Sequence, residues 1–458
     1  MSNTFGQRRP SGPRRLGLTA NRRVCARALL DVEQGAFASL ALDQRLQETP
    51  LSLQDRRFTT DLFYGVVEKK LLLDYVLSRY MQRPMDDVIG RLSLRMGAYQ
   101  ILFMDSVPDF AACNQQVEMM RDFRRETLCS LVNGVLRTLS RQAASIEYPD
   151  EPLERLSVLS STPKWLVERL VEQFGLEKTQ AFLQTSGRGG GMYVRPNLLK
   201  YDDDRAFEAF LQAENIPFEP TGIPHIYHVR ELRASHPAFQ RGQFSILGRA
   251  SALAALALAP KPGMQLLDAC AAPGGKTCFL AELMQGSGRV HAFDLHEHRV
   301  RLISAYAKRL GLDNVRPRQA DATQVVESLV ETMDAVLVDA PCSGLGVLHE
   351  KPDLKYRLRP EDMDNLPKTQ LAILTACARY PKPGGALVYS TCTITSAENQ
   401  DVVRAFLAQN PLYSLESLEN ILPEPFGGLG KEGMLTLEPS SDTEGFFIAR
   451  LRKRKARP

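Results

Sequence analysis

No stretch of about 18 consecutive apolar residues, the length a membrane-spanning helix needs, occurs in this 458-residue chain. The segment 250–259 is apolar but far too short, and the amino terminus has no continuous apolar segment of the signal-peptide kind. Neither a membrane partner nor export is therefore expected. Cysteine is sparse and dispersed: eight residues, at 25, 113, 129, 270, 278, 342, 377 and 392, with no Cys-x-x-Cys pairing. That pattern argues against a structural zinc site, so no metal is expected, and it fits reduced thiols in the cytoplasm. Acidic residues are missing before Asp31, whereas arginines stand at 8, 9, 14, 15, 22, 23 and 27. The chain also ends basic, from Arg450 to Arg457. Polyanion binding is one reading of these ends; solvated tails that aid solubility are an equally good one.

What is present places the chain among multidomain globular proteins. Its length exceeds what one core supports, and 44% hydrophobic with 24% charged residues is an ordinary globular balance. Residues 1–20, rich in Arg, Pro and Gly, are expected to be a disordered basic tail. Over 21–145 apolar residues recur at helical spacing, predicting helices at 22–33, 58–67, 71–80, 88–103, 113–123 and 128–139, an all-α domain. Residues 146–236 are read as a linker, 145–163, followed by a small α+β domain. It carries helices at 165–174 and 204–214, a glycine-rich loop at 187–191 and a strand opening at 192–194.

From 237 to 458 strand and helix patterns alternate, as in a parallel α/β sheet. Strands are predicted at 264–269, 289–294, 315–319, 335–339, 386–390 and 445–451, with helices at 277–284 and 298–310. A loop follows the first strand: Asp268-Ala269-Cys270-Ala271-Ala272-Pro273-Gly274-Gly275-Lys276-Thr277. A P-loop needs glycine where Cys270 stands, and a dinucleotide fingerprint needs three spaced glycines, so neither phosphate site fits. A nucleoside cofactor without pyrophosphate does fit. Asp294 ends the next strand at the offset expected for a carboxylate on ribose hydroxyls, and Asp321 follows the third strand, within reach of an adenine amino group. S-adenosylmethionine has this anatomy. Either aspartate alone is as well explained as a helix cap.

Two cysteines lie where later strands end: Cys342 in Asp339-Ala340-Pro341-Cys342-Ser343-Gly344, and Cys392 in Ser390-Thr391-Cys392-Thr393. Ligands of open α/β sheets bind outside the carboxyl ends of the strands, so the loop and both thiols should share one crevice. A thiolate adding to carbon 6 of cytosine would turn carbon 5 into a nucleophile, given an acid that hydrogen-bonds the ring. Position alone does not decide which thiol attacks. Cys25, Cys113, Cys129, Cys278 and Cys377 read as small buried hydrophobes.

The loop motif, Asp-Ala-Pro-Cys-Ser-Gly, Ser-Thr-Cys-Thr with Glu398-Asn399, and Glu444-Gly445-Phe446-Phe447 resemble the motifs of the Nol/Nop/Sun family of RNA cytosine-C5 methyltransferases. Pro352-Asp353, Lys355 and Gln370 match that family between the two cysteines. The helical segment resembles the antitermination factor NusB through Gly97-Ala98-Tyr99-Gln100 and Val132-Asn133-Gly134-Val135-Leu136-Arg137. The chain departs from the family pattern at Leu247-Gly248-Arg249-Ala250-Ser251 and at Arg195-Pro196-Asn197.

The resemblance implies three folded parts: a NusB-like RNA-binding domain, a small α+β domain and a Rossmann-like class I methyltransferase domain. It implies Cys392 as nucleophile, Cys342 assisting proton removal or product release, and Asp339 holding the cytosine edge. Cys270, Ala271, Ala272, Pro273, Gly274, Gly275 and Lys276, with Asp294, Asp321 and Asp339, would line the S-adenosylmethionine site. A NusB-like domain fused to such an enzyme is the layout of proteins that methylate 16S ribosomal RNA, so this RNA is the expected partner. DNA is not, because no target-recognition domain accompanies the sheet, and a monomer is expected. Transfer RNA or 23S RNA as substrate, and a non-catalytic RNA-binding protein, are the alternatives. Arg121, Arg124, Arg125, Arg137 and Arg141 are candidate phosphate contacts, each also readable as an ordinary solvated residue.

Overall fold

The computed structural model describes residues 17–184, 192–230, 232, 236–440 and 443–455. Most of the tail expected at 1–20, and the glycine-rich loop expected at 187–191, lie outside the described residues. The chain forms two compact units. One runs to Leu183 and includes Lys351–Tyr356; the other comprises Gln184–Glu350 and the chain from Arg357 onward.

The first unit is all-α. It contains α1 (Ala20–Glu33), α2 (Ala38–Glu48), α3 (Leu53–Glu68), α4 (Lys70–Ser78), α5 (Val88–Phe103), α6 (Asp109–Asp122), α7 (Cys129–Gln142), α8 (Pro152–Leu159), α9 (Lys164–Phe174) and α10 (Leu176–Gln184). Caps set several starts: Ser52 accepts from Asp55 N and Asp87 from Gly90 N, leaving fewer orphan donors in the first turn. α2 is absent from the sequence expectation because its buried face is only Ala38, Ala41 and Leu42, a weak periodic signal. The stretch read as a linker at 145–163 contains α8. Pro152 opens that helix and the Glu151 carboxylate accepts from Leu153 N and Glu154 N, a start signal that the charged, proline-bearing composition obscured.

Lys351–Tyr356 lies within this helical unit. Asp353 Oδ2 accepts from Ala38 N at 3.3 Å, Lys355 Nζ donates to Ser160 O at 3.0 Å, and Tyr356 Oη lies 2.7 Å from Ser161 O. Burial pulls the Lys355 ammonium down to about 8.

The second unit holds two sheets. The smaller is antiparallel, in the order β2-β3-β1-β4, from β1 (Met192–Pro196), β2 (Phe218–Pro220), β3 (Tyr227–Val229) and β4 (Phe244–Ile246), with α11 (Asp204–Ala213) beside it. β4, drawn from beyond position 237, completes this sheet. The larger sheet has the order β10-β12-β9-β8-β5-β6-β7, with β11 paired to β12. Its strands are β5 (Gln265–Asp268), β6 (Arg289–Asp294), β7 (Val315–Gln319), β8 (Met333–Asp339), β9 (Pro381–Thr391), β10 (Tyr413–Leu415), β11 (Met434–Leu437) and β12 (Phe446–Lys453). β5 to β9 pair in parallel and β12 runs antiparallel to β9.

Alternation along the strands supplies two cores. Ala335, Leu337, Val388 and Ile448 face the layer of helices Gly275–Leu283 and Glu297–Leu310, while Val336, Val338, Leu387 and Phe447 face Pro360–Cys377 and Gln400–Gln409. Each such buried Val, Leu, Ile or Phe contributes about 1.5–3 kcal/mol. Strand order reverses between β5 and β8, and the crevice forms beyond the carboxyl ends of these strands.

Candidate active site

The loop after β5 turns into the helix Gly275–Leu283 at Gly274, whose φ of +111° is one that side chains resist. A Cβ there would also press on the Ile303 backbone at 3.2 Å. Ala271 N donates to Phe293 O at 2.7 Å, tying the loop to β6. Beneath it, Asp268 accepts from Thr277 Oγ1 at 2.7 Å through one oxygen, while the other, Oδ1, is buried without a hydrogen bond. Burial pushes this carboxyl up to about 7. A cationic ligand group would remove that cost. S-adenosylmethionine carries an ammonium, so the orphan oxygen and the tight glycine turn both suit it.

Lys276 reaches from the loop to Asp339 at the end of β8, Nζ to Oδ2 at 2.8 Å, and Ser390 Oγ donates to Asp339 Oδ1 at 2.7 Å. Burial disfavours the Lys276 charge, but Asp339 outweighs it, with Asp268 and Cys392 adding to the same effect. Lys276 thus stays charged.

The two thiols meet, Cys342 Sγ lying 3.3 Å from Cys392 Sγ. The Cys342 thiol is pushed far up by its hydrogen bond to the Cys392 sulfur, then by burial and by the charges of Cys392 and Glu398. The backbone around them is clasped. Gly346 N donates to Cys392 O at 3.0 Å and Gly445 N to Gly346 O at 2.9 Å. A Cβ on Gly346 would fall 1.9 Å from Gly445 O, so only glycine permits this approach.

Glu398, fully buried, accepts from Ser343 N (2.8 Å), Ser343 Oγ (2.6 Å), Thr395 Oγ1 (2.8 Å) and Gln370 Nε2 (3.0 Å). Thr393 Oγ1 lies 2.7 Å from Ser343 Oγ and 3.3 Å from the same carboxylate.

The loop Cys270–Lys276, Asp339, Cys342 and Cys392 are thus gathered at the ends of β5, β8 and β9. Asp294 ends β6, where its Oδ1 accepts from His296 N at 3.1 Å; Arg299, 3.5 Å from its Oδ2, also donates to Ala272 O. Asp321 follows β7 and accepts from Thr323 N and Oγ1, a local turn. Burial raises the Cys270 thiol well above its ordinary value. Cys25, Cys113, Cys278 and Cys377 are buried and Cys129 is half-buried.

The residues around the departures from the family pattern are tied into the surrounding structure. Arg195 is wholly buried against Glu282, Nη1 to Oε2 at 2.5 Å, and over the Phe279 ring. Asn197 Nδ2 donates to Gly242 O and to Leu310 O, tying the end of β1 to the chain before β4 and to the end of the helix Glu297–Leu310. A Cβ on Gly248 would lie 2.4 Å from Glu444 Oε1, so the glycine leaves room for that carboxyl. Burial, with Glu350 beside it, lifts Glu444 to about 8. In the helical unit Arg121 pairs with Glu118, Arg125 with Asp87, and Arg137 with Asn133, so part of the basic surface is already engaged.

Sequence reasoning assigned no role to Asp268 or Glu398. The signal for Asp268 was its place at the last position of the strand before the glycine turn. For Glu398 the only signal was the Glu-Asn pair after Thr-Cys-Thr.

Comparison with known proteins agrees with this fold. Residues 255–452 match the family model for the 16S rRNA methyltransferases RsmB/F, and residues 19–141 match the NusB family. The probable ribosomal RNA small subunit methyltransferase B of Bacillus subtilis (strain 168) is 36% identical over 444 residues, which is 95% of this chain and 99% of that protein. The ribosomal RNA small subunit methyltransferase B of Thermus thermophilus is 33% identical over 94% of this chain and 97% of its own. The crystal structure of the protein PH0851 superposes with a TM-score of 0.83 at 28% identity, covering 94% of this chain and 98% of that one. With a glycine-turn cofactor loop, a helical NusB domain and relatives along nearly its whole length, the chain belongs to the RsmB/F family of S-adenosylmethionine-dependent 16S rRNA methyltransferases.

Proposed function

We propose that the protein methylates carbon 5 of a cytosine in 16S ribosomal RNA through a covalent bond between Cys392 Sγ and carbon 6. The observation that carries this reading is the meeting of two sulfurs, 3.3 Å apart, with the Lys276–Asp339 ion pair at the same strand ends. A plain RNA-binding scaffold has no use for that arrangement.

Cysteine is only a few per cent thiolate at neutral pH, so the site must decide which sulfur loses its proton. The Cys342 thiol is pushed far up by its hydrogen bond to the Cys392 sulfur, then by burial and the nearby charges. The Lys276 ammonium is coupled to Cys392 instead, which favours that sulfur as the nucleophile. Asp339, fixed by Ser390 and Lys276, holds the Watson–Crick edge of the base. Lys276 balances the charge that develops on the ring as sulfur adds. S-adenosylmethionine, held by residues 270–276 with Asp294 and Asp321, supplies the methyl group. Cys342 then assists removal of the carbon 5 proton and release of the product. A stacked cytosine exposes neither carbon to a sulfur, so the target must stand in a loop or be flipped out. The NusB-family domain is proposed to grip the flanking phosphates.

The test uses unmodified 16S transcript labelled with tritium at cytosine carbon 5. Wild-type protein should release tritium as it transfers methyl, and Cys392→Ala should lose at least about 10³-fold in rate. Cys342→Ala should accumulate a protein–RNA adduct on denaturing gels. Methyl transfer without tritium release would refute the carbon 5 chemistry. Transfer onto transfer RNA but not 16S RNA would refute the substrate.

A further inference from the structure

We infer that Glu398 is a positioning residue for methyl transfer: one buried carboxylate fastens the turn bearing Cys342 to the turn bearing Cys392 and so sets the spacing of the two sulfurs. The inference rests on the reading that these thiols act together on cytosine.

The geometry is specific. Ser343 directly follows Cys342, and Thr393 directly follows Cys392. Both hydroxyls converge on Glu398 Oε1, at 2.6 and 3.3 Å, and lie 2.7 Å from each other. The other oxygen takes Ser343 N, and Gln370 Nε2 bridges it to Pro341 O at 3.0 Å, so the residues on both sides of Cys342 are tied to one group. From the strand side, Tyr389 Oη donates to Glu398 O at 2.6 Å and Asn399 Nδ2 to Thr393 O at 3.0 Å. Two turns that are 50 residues apart in sequence thereby share a single fastening point.

A purely structural role would not call for this residue. A buried carboxylate is costly unless every lone pair is used, and a packed apolar side chain of similar size would hold a fold as well. Among the described residues no Lys, Arg or His forms an ion pair with Glu398; its partners are neutral donors. The carboxylate is thus held by hydrogen bonds alone, from both of the turns that carry the sulfurs. Only an acceptor on both oxygens can take these donors together. Glutamine keeps one acceptor oxygen for Ser343 N and Gln370 Nε2, and its NH₂ forces the Ser343, Thr393 and Thr395 hydroxyls to turn from donors into acceptors, which re-aims the clasp on that side.

The test compares Glu398→Gln, Ser343→Ala and Thr393→Val with wild type. Turnover on 16S transcript should fall about 10²-fold for Glu398→Gln, the cost of misplacing a reacting atom by an ångström, with KM for RNA and Kd for S-adenosylmethionine unchanged within about threefold. Ser343→Ala and Thr393→Val, each losing one hydrogen bond, should fall about fivefold to tenfold. A second readout does not depend on cytosine chemistry. The azo oxidant diamide takes two electrons and two protons from a thiol pair, closing a disulfide as it becomes a hydrazine. The Cys342–Cys392 disulfide, located by mass spectrometry, should form at least about tenfold more slowly in Glu398→Gln than in wild type.

Should Glu398→Gln fail to fold, the two hydroxyl variants carry the test. Wild-type kcat and wild-type cross-linking in every folded variant would overturn the inference. Absence of tritium release from wild type would instead remove the cytosine reading, with the cross-linking rates still judging the clasp.

Discussion

At the cofactor end of the crevice Asp268 leaves one carboxylate oxygen buried without a hydrogen bond, whereas at the thiol end Glu398 spends both oxygens on Ser343, Gln370, Thr393 and Thr395. Both are fully or almost fully buried acids at the edge of one sheet. The difference lies in what each awaits. A carboxylate whose lone pairs are all used can only hold its surroundings in place. One left with an unused oxygen carries a standing penalty that a bound cation would lift. At these two acids, completeness of hydrogen bonding separates the one that fastens two turns from the one suited to a bound cation.

Three substitutions bear on that distinction, beginning with the largest effect. Asp339 stands between the two cases, anchored by Lys276 and Ser390 yet proposed to face the base. Asp339→Asn should lower kcat by about 10³-fold while S-adenosylmethionine affinity, read by calorimetry, changes little. An equal loss in both would place Asp339 with the cofactor instead. Next, Arg195 and Glu282 form a wholly buried ion pair that also leaves Glu282 Oε1 and Arg195 Nε and Nη2 without hydrogen bonds, so an orphan atom alone does not mark a ligand group. Arg195→Ala should cost about 3–5 kcal/mol in urea unfolding, because it leaves a buried charge without its partner. It should leave turnover per folded molecule intact.

The smallest effect, and the most discriminating in sign, belongs to Asp268→Asn. It should weaken S-adenosylmethionine binding about tenfold and yet stabilise the ligand-free protein at pH 8. The folded carboxyl titrates near 7, above its unfolded value of 3.8, so ionisation favours the unfolded chain. Stability from this group is complete below pH 3.8 and is lost as pH rises toward 7, at up to about 1.4 kcal/mol per pH unit. Cofactor affinity should run the other way, strengthening as pH rises to about 7, and the asparagine variant should flatten both profiles. A variant that is less stable at pH 8 would show that Asp268 holds rather than binds.

Much of this was legible in the sequence because local pattern decides it. β6 and β7 fall where alternation placed them, and the glycine turn after β5 needs only Gly274 and its neighbours. The meeting of Cys342 and Cys392 followed from a general rule about strand ends, without knowledge of their distance. What stayed hidden depends on tertiary convergence. Glu398 acquires its role from residues at 343, 370, 393 and 395, and no spacing rule connects them. α2 escaped because two of its three buried residues are alanines. α8 escaped because its start is written in Glu151 and Pro152, residues that also signal loops. Arg195-Pro196-Asn197 read only as a departure from the family pattern, whereas Arg195 and Asn197 tie β1 to the helices Gly275–Leu283 and Glu297–Leu310.

Lys351–Tyr356 has a practical corollary. Six residues of chain that begin just after the Cys342 turn are counted, by their packing, in the helical unit, and the chain then returns to the sheet. The polypeptide therefore passes between the units three times, and one proteolytic cut cannot release either of them whole. A gene fragment starting at 184 would carry Asp353, Lys355 and Tyr356 without Ala38, Ser160 and Ser161, and its complement would lack the strip those residues form. For recombinant dissection, the shortest faithful piece of this protein is the chain with both units left joined.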